Sequence, residues 1–188
     1  MAEEGEVRTE KLDPEAEARR RLALAQIRQY PDPVLRMQAR EVEEFDGELE
    51  KLVERLRHLL REASGLGLAA TQIGVLRRVF VFLPDPEQEP VALVNPRFSA
   101  TSEERESDTE GCLSLQGVVI PVERYASLTI EGRTPAGDDV RIELEGLPAR
   151  IAQHELDHLD GVLILDRTTP EARREALGVL RQQPAIVR

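Results

Sequence analysis

One short stretch, Gln153-His154-Glu155-Leu156-Asp157-His158, holds two histidines and two carboxylates, the types of side chain that bind metals and move protons. It has the form His-Glu-x-x-His. On a helix turning about 100° per residue, His154 and His158 are offset by only about 40°, and Glu155 lies about 60° beyond His158. Two imidazoles therefore point at one spot, one turn apart, with a carboxylate beside them. That arrangement suits a divalent metal held by neutral His nitrogens, with the Glu left to handle a proton of water. A pair of solvated helical histidines is the bland alternative, and the whole pattern weighs against it.

Two ligands leave a tetrahedral site half filled, and a catalytic site usually takes three protein ligands and one open position. Glu171 and Glu175, on a later helix, match the ligand arrangement of one broad class of zinc peptidases. A third His six residues past the motif, as in metzincins, is excluded because residue 164 is Ile. Cys112 is the remaining candidate, within Glu110-Gly111-Cys112-Leu113-Ser114. A lone Cys is usually a small buried hydrophobe, but these neighbours are not a core run. A thiolate there would favour iron, zinc, cobalt or nickel over calcium or magnesium.

The helix carrying the motif has a proline, Pro148, fit for its first turn and Gly161 to end it. Ile151, Leu156 and Leu159 give it apolar packing. An earlier helix starts at Asp46 as N-cap, with Leu49, Leu52, Val53, Leu56, Leu59, Leu60 and Ala63 on one face; His58 falls on the opposite, solvated face. Then Gly65-Leu66-Gly67-Leu68-Ala69-Ala70-Thr71-Gln72 reads either as a tight connection or as backbone that something approaches closely, with Gln72 aimed at it. It is no dinucleotide fingerprint, because it follows a helix and lacks the third glycine.

Strands are expected at Arg78 to Leu83 and Val91 to Val94, an exposed loop or edge over residues 99–110, and an antiparallel hairpin of Ser127 to Glu131 with Val140 to Glu145. Val162 to Leu165 reads as a short strand and Pro170 to Gln182 as a last helix. Upstream, Pro14 to Gln29 fits an amphipathic helix, the residues before Pro14 read as disordered, and Pro31 and Pro33 punctuate a turn leading into a short helix or loop.

The chain has 188 residues, a net charge of −11, 3% aromatic residues and a single cysteine. The length fits one domain whose core is built from Leu, Val, Ile and Ala. An acidic chain is a poor match for a phosphate backbone, so free nucleic acid is not an expected partner. With no intrachain disulfide available, no apolar leader and no apolar run near the ~20 residues of a membrane span, a cytoplasmic protein is expected.

Three blocks together resemble peptide deformylase: Gly65 to Gln72, Glu110 to Ser114 and Gln153 to His158, in that family's order and at similar intervals. Pro31-Asp32-Pro33-Val34-Leu35-Arg36 is similar to the family's start. The likeness covers roughly residues 25–167. It implies an α+β fold with antiparallel sheets wrapped around the central metal-binding helix: a single catalytic domain, 25–188, with a C-terminal helix, after an N-terminal extension, 1–24. It implies removal of the formyl group from N-formylmethionyl peptides, with Cys112, His154 and His158 as metal ligands and Glu155 as acid–base. Gln72 and the Leu113 N–H would hold the formyl oxygen. Leu66, Gly67 and Gly111 are expected to touch the peptide backbone, and Leu68, Leu147, Arg150 and Ile151 to line the methionine pocket. The implied metal is ferrous iron, replaceable by zinc, nickel or cobalt, and the ribosome is an expected neighbour.

Three departures stand out: Gln116 and Glu123 replace usual prolines, and residues 1–24 have no family role. The rivals are a peptidase using Glu171 or Glu175, and a ribosome-associated binding module without turnover. The latter would turn Arg173, Arg174 and Arg181 toward RNA, although a solvated face is the plainer reading of those arginines and an intact Glu155 speaks against a dead enzyme.

Overall fold

Asp46 caps the first long helix: its carboxylate accepts from the N–H groups of Glu48 at 3.1 Å and Leu49 at 3.0 Å. The computed structural model, which describes residues 13–85 and 87–182, places this helix, α2, at Gly47–Glu62. α1 is Pro14–Leu24. Leu49, Leu52, Val53, Leu56, Leu59 and Leu60 of α2 are all buried, and His58 is exposed. The expectation for residues before Asp13 falls outside the described residues.

A five-stranded antiparallel sheet has the order β1-β2-β3-β6-β7: β1 Gly67–Ala69, β2 Val79–Phe82, β3 Val91–Thr101, β6 Ser127–Arg133 and β7 Asp139–Glu145. β4, Arg105–Gly111, and β5, Val119–Tyr125, form a separate antiparallel pair. α3 is Gly146–Leu159 and α4 is Pro170–Gln182.

Side chains of a strand alternate between faces, and β2 is dry on both. Val79 and Val81 join the cluster built on α2, while Phe80 and Phe82 join the cluster built on α3. β3 repeats the pattern, with Ala92 and Val94 toward α2 and Leu93 toward α3. The sheet is thus sandwiched between the two helices, and its position fixes α3. A third cluster packs Ile120 and Val122 of β5 against Leu163, Leu165 and Ala176.

Local structure departs from expectation in three places. α1 stops at Leu24 instead of Gln29, because the Arg28 N–H turns to the Gln72 carbonyl at 2.7 Å. Residues 99–110 are largely strand: the end of β3 and most of β4. β4 exposes every residue but Glu110, so it gives no alternation to read. Residues 162–165 are not a strand; Ile164–Asp166 is a 3₁₀ turn, with the Asp166 carboxylate accepting from the Leu163 N–H at 2.8 Å. A short apolar run buried on all sides cannot be told apart by period. The Pro-punctuated turn leads, as expected, into a short helix: a 3₁₀ turn, Pro33–Arg36, capped by Asp32. Among the described residues no helix is long and apolar enough to cross a membrane.

Candidate active site

α3 sets the geometry. The helix terminates where Gly161 takes φ +72°, and a Cβ there would lie 2.6 Å from the Arg36 carbonyl oxygen, so only glycine fits. Gln153 ties α3 to β5 by exchanging two hydrogen bonds with the Tyr125 backbone, each 3.0 Å. The Thr71 hydroxyl donates to the His158 carbonyl at 3.1 Å. The His154 and His158 rings lie with centroids 4.9 Å apart.

Cys112 follows directly on β4. Its Sγ is 3.2 Å from His158 Nε2, and the ligating atoms of Cys112, His154 and His158 all lie within 4.8 Å of one another. His154 Nδ1 is bonded to Glu110 at 2.9 Å, which leaves its Nε2 for the cluster. Burial, then the neighbouring His154, hold the His158 imidazole neutral, far below its ordinary pKa. A thiolate with two imidazoles is a donor set for a transition metal or zinc. The buried Glu155 Oε2 has no hydrogen-bond partner among the described residues, so the donor set and the orphaned oxygen together fit a divalent ion and a water. Glu171 and Glu175 lie exposed on α4, outside this cluster.

Glu110 anchors a buried charge network. Arg124 reaches it from β5 with Nε and Nη2, at 2.8 and 2.9 Å, and donates its Nη1 to Asp157 at 2.6 Å. Arg167 pairs with Asp157 from the other side at 2.7 Å. Burial would push the Glu110 carboxyl up, but hydrogen bonds from Arg124 and His154 outweigh it and hold it at about 2. Glu110 is therefore a fixed anion orienting His154.

Glu155 is 3% exposed, and burial raises its carboxyl to about 7. The close approach expected at the glycine segment is made by this side chain: a Cβ on Gly67 would sit 2.3 Å from Glu155 Oε1. Gln72 is oriented by its own oxygen, which accepts the Ala69 N–H at 2.8 Å. Its amide nitrogen then faces Ser114 Oγ at 3.1 Å and Cys112 Sγ at 3.8 Å. Cys112 O accepts the Leu115 N–H at 3.0 Å. The Leu113 N–H, in the same peptide unit, must point the opposite way, and it has no acceptor among the described residues. Gln29 Nε2 pins the Leu113 carbonyl at 2.9 Å.

These groups open into a cleft of about 590 Å³, whose walls include Leu66, Gly67, Gly111, Leu147 and Ile151. Arg150 also touches it, but its guanidinium is turned inward to Glu110 and to the Val122 and Glu106 carbonyls, at 2.8–2.9 Å. Leu68, expected in the pocket, lies fully buried in the cluster against α2; in β1 its side chain alternates away from the cleft. Arg124 and Asp157 were not singled out by sequence. A signal for Arg124 existed: it keeps phase with buried Ile120 and Val122 along β5.

A thiol and two imidazoles converging beside a buried carboxylate on a His-Glu-x-x-His helix, with an open cleft above them, are the arrangement of a metal-dependent hydrolase. The family model described as polypeptide deformylase matches residues 24–174. A peptide deformylase of Desulforudis audaxviator is 46% identical over 154 residues, covering 82% of this chain and 99% of the relative. Among solved structures, a plant peptide deformylase superposes with a TM-score of 0.79 at 37% identity, covering 83% and 86% of the two chains. That from Thermotoga maritima gives 0.73 at 42%, covering 77% and 97%. The chain belongs to the polypeptide deformylase family, whose reaction removes the N-formyl group from newly made polypeptides.

Proposed function

We propose that Cys112, His154 and His158 hold the catalytic ion, that Glu155 moves the proton, and that Gln72 and Leu113 receive the formyl oxygen. The observation that carries this is the convergence of the three donor atoms within 4.8 Å beside a buried carboxylate. Held by these three residues, a divalent ion would supply Lewis-acid chemistry, polarising the formyl group and lowering the pKa of water toward about 7. The Glu155 carboxyl, raised to about 7, is matched to taking a proton near neutral pH and returning it to the departing amine. Gln72 Nε2 and the Leu113 N–H are donors held in place before substrate arrives; one such donor is typically worth roughly 3 kcal/mol.

The peptide lies extended along β1. Leu66 O accepts the Leu83 N–H at 2.9 Å, so in the antiparallel register Gly67 turns its N–H and C=O away from β2 and toward the cleft. Backbone contacts of this kind accept any sequence. Leu66 and Gly111 flank the track, and Leu147 and Ile151 offer apolar surface to the methionine side chain. Residues 25–188 act as one catalytic domain. The ion in the cell is ferrous iron, with zinc, nickel or cobalt able to replace it in this donor set. The protein works in the cytoplasm near the ribosome; Arg173, Arg174 and Arg181 are exposed on α4 and are read as its solvated face.

Formate release from formyl-Met-Ala by anaerobically purified protein is the test. Glu155→Ala should keep its metal and lose about 10²–10⁴-fold in kcat. Turnover close to wild type would remove the proton role, and an inactive, metal-loaded wild type would remove the whole reading.

A further inference from the structure

We propose that Arg20, on α1, is a specificity-determining residue that receives a carboxylate of the substrate peptide at the wall of the cleft. This rests on the reading that the peptide occupies this cleft.

All of α1 but its last residue, Leu24, precedes the residues matched by the family model, yet the helix is docked on the common scaffold. Ala23 is 3% exposed, and Ile27, just past the helix, is fully buried in the α2 cluster. Arg19 Nε lies 3.4 Å from Glu62. Arg20 Nε donates to the Ala63 carbonyl, just past the end of α2, at 3.2 Å. Arg20 and Leu24 thereby join Gly65, Leu66 and Gly67 in lining the cleft.

The charge pattern of that lining singles Arg20 out. Glu110 and Arg150 are paired with each other at 2.9 Å, His154 is bonded to Glu110, and Glu155 is buried. Arg20 is exposed. Its Nε bond fixes the root of the guanidinium, while its remaining N–H groups meet no acceptor and no carboxylate among the described residues. A planar, permanently charged fork with donors left over is suited to a carboxylate. The chain as a whole carries −11 and repels acidic peptides at a distance; a cation on the wall offsets that where the peptide lies. The carboxylate is either an acidic side chain downstream of the formylmethionine or the free terminus of a short peptide.

The experiment compares kcat/KM at low ionic strength for formyl-Met-Ala-Asp-amide against formyl-Met-Ala-Lys-amide, and for formyl-Met-Ala-Ala as free acid against amide. Wild type should favour the anionic member of at least one pair by about threefold, the size of an exposed ion pair. That ratio should fall toward one in Arg20→Ala and Arg20→Gln, invert in Arg20→Glu, and shrink in 0.5 M salt. A change confined to the first pair assigns the side chain; one confined to the second assigns the terminus. Each ratio cancels any general loss of folded enzyme. Arg19→Ala, which alters the same helix without touching the cleft, should keep the wild-type ratios. Equal ratios in wild type and the Arg20 variants, or no anionic preference in wild type, would overturn the proposal. Failure of wild type on the uncharged amide would instead sink the assignment of the cleft to the peptide.

Discussion

Gly67→Ala adds one methyl group at the most crowded point of the site. The backbone at Gly67 is in a region open to any residue, so the methyl itself, not backbone strain, is the perturbation. The new Cβ would stand 2.3 Å from Glu155 Oε1 and 2.7 Å from its Cδ and Cγ. Ordinary contact begins at about 3.4 Å, so the carboxylate must retreat by about 1 Å. Glu155 is 3% exposed on a helix wedged against the sheet, and that helix also carries His154 and His158. The retreat therefore displaces the base from its reacting position. A misplacement of that size lowers kcat by roughly 10²-fold. Overpacking costs about 1–3 kcal/mol, a fall in Tm of roughly 2–10 °C for a chain of this length. Formate release, metal content and a thermal melt read the three effects separately. Gly65→Ala is the comparison: its Cβ would meet only the Cδ1 tips of Leu113 and Leu60, at 2.8 and 2.9 Å, which can swing aside. Its kcat should stay within about tenfold of wild type. If Gly67→Ala keeps full metal and a kcat within about threefold of wild type, the contact does not position Glu155 and the reasoning fails.

Cys112→Ser replaces the thiolate with a weaker hydroxyl ligand and should lower metal retention on dialysis; unchanged metal content and spectrum would remove Cys112 from the ligand set. Gln72→Ala should depress kcat more than it raises KM, and should also destabilise by about 1–3 kcal/mol because the buried Ala69 N–H loses its acceptor; a rise in KM alone would contradict the oxyanion role. Glu110 has a folded pKa of about 2, below its ordinary 4.5, so its contribution is fully present above pH 4.5 and is lost as pH falls toward 2. That contribution is about 3 kcal/mol. Urea midpoints across that range should fall more steeply for wild type than for Glu110→Gln, and parallel curves would count against the buried anion.

α2 was legible because its seven apolar positions share one face and Asp46 supplies the cap, so local signals and tertiary burial agree. The convergence of the His pair was legible through residue type and helical spacing; Cys112 stood as a candidate by its chemistry and joined them through the family resemblance, and the structure brings the three donor atoms within 4.8 Å of one another. What escaped was set by distant partners. α1 ends early because Arg28 bonds to Gln72, 44 positions along the chain. β4 carries its only buried residue, Glu110, among exposed neighbours, and Glu110 is stable there only because Arg124 and His154 come from other elements. Leu68 was misplaced because a three-residue strand is too short for its alternation to be read by eye.

That same short strand sets how firmly the molecule grips what it processes. β1 borders the sheet for only three residues; Gly67 and Ala69 turn their backbone groups away from β2, and the Ala69 N–H is already held by Gln72. A border so brief, recessed in a cleft, is a poor template for fibrils, and on the proposed reading it would hold an incoming chain by a handful of main-chain bonds. So light a main-chain grip would let clients of differing sequence leave quickly, which suits an enzyme that must visit each new polypeptide once and leave.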